Sequence, residues 1–249
     1  MSQNLQDFNV GVIGPVECLK ESWELIKDEY WLILGVTFVG LMVGGTVPIV
    51  LMGPMMCGMY LCLLTKMRRQ PVDFGLLFKG FDYFGQSVIA SLLQMIPAVI
   101  ILVPFYIIFL VIMFAMMPSG RGRVDPDESA AFAFAFFAFY IIFILVIVAV
   151  ALVIHIFFMF SYPLIVDRNL SGVEAVKLSI KAGKANFGGL LGLMFLNMGL
   201  GILGALACYV GAFFVMPITF TSYAVAYRRI FPEMPQTFPS PPPPPQTWT

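Results

Sequence analysis

Polar and apolar positions are sorted into blocks along this chain. Four runs without a single Asp, Glu, Lys or Arg cover 31–65, 83–120, 129–166 and 185–227. Each exceeds the roughly 20 apolar residues that cross a bilayer as a helix. Hydrocarbon offers no partner for bare N–H and C=O groups, so such runs are predicted to be helical. Strand-like alternation appears only in "AAFAFAFFAF" (130–139), which opens a much longer apolar run. The pattern predicts an all-α polytopic membrane protein.

Between the runs, three short polar openings share one logic. Gly14-Pro15-Val16-Glu17, Gln70-Pro71-Val72-Asp73 and Ser171-Gly172-Val173-Glu174 each read as an N-cap, then Pro or Gly, then Val, then an acid at the third helical position. Ser171 with Glu174 spells a capping box, and Pro15 and Pro71 suit a first helical turn. The segments opened in this way are amphipathic. Val16, Leu19, Trp23, Ile26 and Tyr30 form one stripe, and Val173, Val176, Ile180, Gly183 and Phe187 another. Lys20 and Lys27, or Lys177, Lys181 and Lys184, occupy other faces. Such helices are predicted to lie in the membrane interface, apolar side to acyl chains and lysines towards anionic headgroups.

Each opening precedes two expected crossings. The chain therefore divides into units 14–69, 70–168 and 171–229 within a single membrane domain, 1–231. "PMMCGMY" (54–60) and "PITFTSY" (217–223) both place Pro six residues before Tyr, and both run on into Arg-Arg, 68–69 and 228–229. Agreement in order and position favours duplication over coincidence. The repeats share one membrane orientation, unlike the inverted repeats common in secondary transporters.

Composition agrees with the pattern: charged residues are 11% and mean hydropathy is +0.92, against about 25% charged in a soluble domain. The zero net charge hides an asymmetry. Twelve of the fourteen Lys and Arg fall in four places: Lys20 and Lys27; Lys66, Arg68, Arg69 and Lys79; Arg168, Lys177, Lys181 and Lys184; Arg228 and Arg229. Arg121 and Arg123 sit in "PSGRGRVDPDES" (118–129) beside Asp125, Asp127 and Glu128. Basic flanks stay cytoplasmic. The first and last runs, basic at both ends, must cross an even number of times, and the middle two cross once each around an external loop. The count is six helices in three hairpins, with both termini cytoplasmic. The first run leaves about 17 residues per crossing, at the lower limit; "GGTVP" (44–48) and "GP" (53–54) are its candidate turns, and a re-entrant hairpin has the same parity. The middle runs exceed one span, so they tilt, kink at Pro97 and Pro104, or project. The first fourteen residues lack the charge and apolar core of a cleavable leader. The tail, 232–249, reads as a flexible polyproline end rather than a docking peptide.

The chemistry is sparse. His155 is the one histidine, and no carboxylate lies inside an apolar run. An intramembrane ionisable group is by default a functional candidate. The competing reading is a neutral ring giving one hydrogen bond across the bundle, worth about 0.6–2 kcal/mol. Asn197 and Gln94, the other strongly polar candidates within the runs, invite the same two readings. Cys18, Cys57, Cys62 and Cys208 show neither C-x-x-C nor zinc spacing. Neither a Walker loop nor a dinucleotide fingerprint is present, so no cofactor, metal or catalytic residue is expected, and nothing points to nucleic acid. Gly40 with Gly44, Gly188 with Gly192, Gly204 with Cys208 and Ala207 with Gly211 read as small-residue pairs for close helix packing.

The stretch "SYPLIVDRNLSGVEAVKLSIKAGKANFGGLLGL" (161–193) ends one helix in Pro-Leu-Ile-Val-Asp, opens another with Gly-x-Glu-Ala-x-Lys-x-Ser and continues into a Gly-rich hairpin that closes with "MPITFTSYAVAYRRIF" (216–231). This resembles uncharacterised bacterial six-helix integral membrane proteins related to the membrane domain of glycerophosphoryl diester phosphodiesterases. The likeness extends over most of the chain through packing and interface residues. It implies the fold and a place in the bacterial cytoplasmic (inner) membrane. It brings no catalytic motif, and the soluble phosphodiesterase barrel with its acidic metal site is missing.

The expected function is therefore a non-enzymatic membrane protein that organises lipids or a membrane protein partner through its interfacial helices. A transporter or passive lipid facilitator is the alternative. A lined cavity holding His155 and Asn197 would favour the alternative, and a filled bundle the first. Oligomeric state is not legible.

Overall fold

The computed structural model describes residues 8–116, 126–206 and 210–233. Among them the fold is all-α and contains no strand. The elements are α1 (Pro15–Ile26), α2 (Tyr30–Thr46), α3 (Met52–Met67), a 3-10 segment (Phe74–Tyr83), α4 (Phe84–Met116), α5 (Pro126–Phe158), α6 (Ser161–Arg168), α7 (Gly172–Ala185), α8 (Phe187–Leu206) and α9 (Val210–Ile230). Five helical stretches are long and apolar enough to cross a membrane: 15–46, 74–114, 133–168, 187–206 and 210–230. α3, at 16 residues, is not among them. Arg121, Arg123, Asp125, Ala207, Cys208 and residues 234–249 lie outside the described residues.

Local chemistry explains the helix starts. Pro15 occupies the first turn of α1 after an extended Gly14, where a missing N–H costs nothing. Ser171 and Glu174 close a full capping box on α7. The second opening departs from its expected register. Asp73 is itself the cap, accepting a hydrogen bond from the Gly75 N–H at 3.2 Å, and Pro71 lies before the helix. The segment is 3-10 because Gly80 and Gly58 of α3 must meet: a Cβ on Gly58 would strike the Leu77 carbonyl, and one on Gly80 the Pro54 carbonyl. The turn between α2 and α3 falls at Val47–Leu51, closed by Leu51 N–H to the Val47 carbonyl at 2.8 Å. Gly53-Pro54 is no turn; it lies in the first turn of α3, where proline is tolerated.

α3 is the centre of the molecule although it is neither long nor strongly apolar. Gly53, Pro54, Met55, Cys57, Gly58, Met59, Tyr60, Cys62, Leu63 and Leu64 are all buried. Gly40 and Gly44 of α2 lie against Met59 and the Met52 backbone, the close approach that small residues permit without a hydrophobic drive. Gly204 serves α8 likewise, 2.9 Å from the Gly211 carbonyl by a built Cβ, while Gly188 touches nothing and Gly192 meets Pro15.

α4 contains Pro97 and Pro104 and still runs unbroken for 33 residues, as long as α5. At 1.5 Å per residue each measures about 50 Å, well over a hydrocarbon core of about 30 Å. The two pair through stacked Phe105 and Phe143 (5.0 Å) and Phe109 and Phe139 (5.6 Å). Much of their remaining surface is exposed and apolar, Ile100, Val111 and Leu145 included. A turn at Met159–Phe160 sets off α6, held by Ser179 of α7: its hydroxyl donates to the Phe157 carbonyl (2.7 Å) and accepts from Phe160 N–H (3.2 Å).

The opening segments exchange partners between units. α1 packs on α8 and α9; the 3-10 segment packs on α3; α7 lies across α4 and α5. Each unit's opening thus sits on another unit's helix pair, in a closed cycle. This corrects part of the expected lipid-facing stripes. Val16, Trp23 and Val173 are exposed, but Ile26, Val176 and Gly183 are buried in protein.

Candidate functional site

At one end of the bundle α3, α6 and α9 finish together on a charged cluster. The carboxylate of Asp167, 5% exposed, accepts from Arg68 Nη2 at 2.7 Å, Arg228 Nη1 at 3.0 Å and the Tyr227 hydroxyl at 2.8 Å. Arg229 pairs with Glu17 (3.0 Å) and Glu21 (2.8 Å), and Lys66 with Glu29 (2.7 Å). A cavity of about 370 Å³ opens here between Glu21, Leu25, Met67, Val225, Arg228 and Arg229. Its two arginines already have carboxylate partners, so it offers no free cation to an anion.

A second cavity, about 360 Å³, is a half-open cleft between the helices, with most of its lining residues partly exposed. α2 and α3 contribute Leu41, Met52, Met56 and Tyr60 to its wall, and α4 contributes Gln94. α5 and the turn after it supply His155, Phe158 and Met159, with Tyr162 from α6 and Thr219, Phe220 and Tyr223 from α9. The wall surface is mainly apolar, with a few hydroxyl, amide and imidazole groups set into it, and none of it carries Asp, Glu, Lys or Arg. His155 and Tyr223 stand with ring centroids 5.5 Å apart.

The hydrogen bonds divide the polar groups in two. Tyr162 pairs its hydroxyl with Ser91 at 3.1 Å, and Thr219 donates to the Val215 carbonyl at 3.4 Å. The Tyr60 hydroxyl, the Gln94 amide and the His155 imidazole make no hydrogen bond among the described residues, although Tyr60 is only 2% exposed. The cross-bundle bond expected of His155 does not form.

Of the three polar candidates, the structure therefore brings His155 and Gln94 together and leaves Asn197 out. Asn197 of α8 is buried and donates to Ser222 of α9 at 2.8 Å, a bond between helices. Lys20, Lys27, Lys177, Lys181 and Lys184 are all exposed, and Lys27 pairs with Glu24. At the head of α7, the Ser171 hydroxyl and N–H hold the Glu174 carboxyl below its usual range.

Sequence reasoning missed the tyrosines and Asp167. The signal for Tyr60 and Tyr223 was present: each stands six residues after a proline, and both reach the same cavity. Arg68 and Arg228, the first arginines of the two Arg-Arg pairs, likewise reach the same carboxylate. No family model, curated protein or solved structure matches this chain.

Proposed function

We propose that this protein is a non-enzymatic, multi-pass membrane protein that takes a single membrane amphiphile into the cavity beside His155 and lets it pass or rest there. The observation that carries this reading is a half-open cleft between the helices whose wall combines unpaired polar groups, Tyr60, Gln94 and His155, with thioethers and aromatic rings. Ligand sites have this mixed character and a volume of roughly 300–1,000 Å³. No hydroxyl of the wall is hydrogen-bonded to His155 among the described residues, and no group of three His, Cys, Asp or Glu that could hold a metal ion occurs among them.

The proposal includes six crossings in three hairpins, with both termini cytoplasmic in a bacterial inner membrane. The Glu29–Lys66 pair supports it by joining the outer ends of α2 and α3. Asn9 N–H donates to the Ile230 carbonyl at 2.8 Å, which supports termini on one side. In this arrangement α1 and α7 lie at the interface.

Reconstitution into vesicles with a fluorescent-lipid translocation assay tests the reading. Faster loss of leaflet asymmetry than in empty vesicles is expected. A rate equal to that of empty vesicles, with no lipid retained through purification, would overturn it. A second reading, an organiser of anionic lipid or of a membrane protein partner, is favoured by the five exposed lysines; it predicts vesicle-charge-dependent binding or a retained partner without translocation.

A further inference from the structure

Building on the cavity reading, we infer that the occupant carries an uncharged, oxygen-bearing head on a hydrocarbon body, the chemistry shared by diacylglycerols and prenyl quinones. Three observations lead there. The cavity wall holds no Asp, Glu, Lys or Arg. A phosphate head placed there would lose its hydration without gaining a counter-charge, the least favourable way to bury an ion. Arg228 and Arg229 of the end cluster are engaged by Asp167, Glu17 and Glu21.

Second, the free hydrogen-bonding capacity matches carbonyl and ester oxygens. Tyr60 offers a hydroxyl, Gln94 an amide N–H and His155 a ring N–H, from α3, α4 and α5 in turn. None of the three is engaged elsewhere among the described residues, and Tyr60 is almost wholly buried. A donor that faces an apolar cleft without an acceptor is costly, so such groups mark the place of an acceptor. The occupant's own hydroxyl, where it has one, finds acceptors in the Gln94 carbonyl and the second imidazole nitrogen.

Third, size and softness fit a head with the first part of its chain. The cavity's 360 Å³ lies near the lower end of ligand sites, too small for a whole two-chain lipid. Met52, Met56 and Met159 supply unbranched thioethers that adapt to an irregular chain. The remaining hydrocarbon would continue along the exposed apolar surface of α4 and α5.

The test is native mass spectrometry of the full chain in detergent, offered equimolar dioleoylglycerol, a prenyl quinone, phosphatidylglycerol and phosphatidylcholine. Adducts of one or both uncharged lipids at least tenfold above the phospholipids are expected, and the preferred one identifies the source. Tyr60→Phe with Gln94→Leu should reduce those adducts at least tenfold, and the melting temperature shows that the double variant stays folded. Wild-type preference for either phospholipid would overturn the uncharged head while leaving an amphiphile-binding cavity. Retention of no lipid at all would overturn the cavity reading itself. If the variant does not fold, the wild-type ranking alone decides between these outcomes.

Discussion

Arg228 grips Asp167 with both terminal nitrogens, Nη1 at 3.0 Å from Oδ2 and Nη2 at 3.1 Å from Oδ1. Arg68 adds a third contact from the far side of the chain, so the ends of three helices depend on one carboxylate. Breaking a buried pair costs about 3–5 kcal/mol because a charge is left behind. With Arg68 about a third exposed, the lower end applies: Asp167→Ala should lose about 3 kcal/mol, read as unfolding in detergent. Asp167→Glu should recover part of it. An unchanged midpoint would show that the ends of α3, α6 and α9 are held by packing alone.

Gly58 and Gly45 provide a matched pair on neighbouring helices. A methyl on Gly58 meets the Leu77 carbonyl, whereas one on Gly45 meets nothing within 4 Å. Gly58→Ala should cost about 1–3 kcal/mol, as overpacking does, and Gly45→Ala should leave stability unchanged or raised. Equal effects in the two variants would refute the close seating of the 3-10 segment on α3.

At the head of α7, stability follows pH in one direction. The folded pKa of Glu174 is depressed by Ser171, so its contribution is present above the usual carboxylate range and fades as pH falls through the folded value. Hydrogen exchange of the amides at 173–175 should therefore rise on acidification. Ser171→Ala should show the raised exchange already at neutral pH and flatten the pH response. A variant retaining the wild-type pH step would remove Ser171 as its cause.

His155 reverses an expectation formed from sequence. With no hydrogen bond among the described residues, its replacement by leucine should cost less than the roughly 0.6 kcal/mol of an average interhelical bond. Lipid retention should nevertheless fall. A large loss of stability with retention intact would restore the structural role.

The proposed six crossings would place Pro48, in the α2–α3 turn, on the face opposite Lys184. In a variant without the native cysteines, single cysteines at 48 and 184 should react from opposite sides of sealed vesicles. Same-side reaction would make α2 and α3 a re-entrant pair.

The class of fold was legible because exclusion of charge from whole runs is a property of composition. Two of the three openings were legible because caps act within four residues of sequence. Asp73 misled for the same local reason: nothing nearby reveals that Gly58, fifteen positions earlier, draws the segment into a tighter helix. Asp167 could not be found at all, since its arginines stand 99 and 61 positions away. The cavity was half visible, in a recurrent proline–tyrosine spacing that periodicity alone assigns to core.

The exchange of opening segments around the three units has a consequence for biosynthesis. α1 precedes α8 and α9 in the chain, so its seat on them forms only after both have been synthesised. Until then Cys18, Ser22 and Ile26 lack the partners that bury them. Every earlier unit is likewise unfinished without a later one, or is completed by it. A chain interrupted after α7 would therefore hold a middle unit with its cover in place and an α1 without α8 and α9 to dock on.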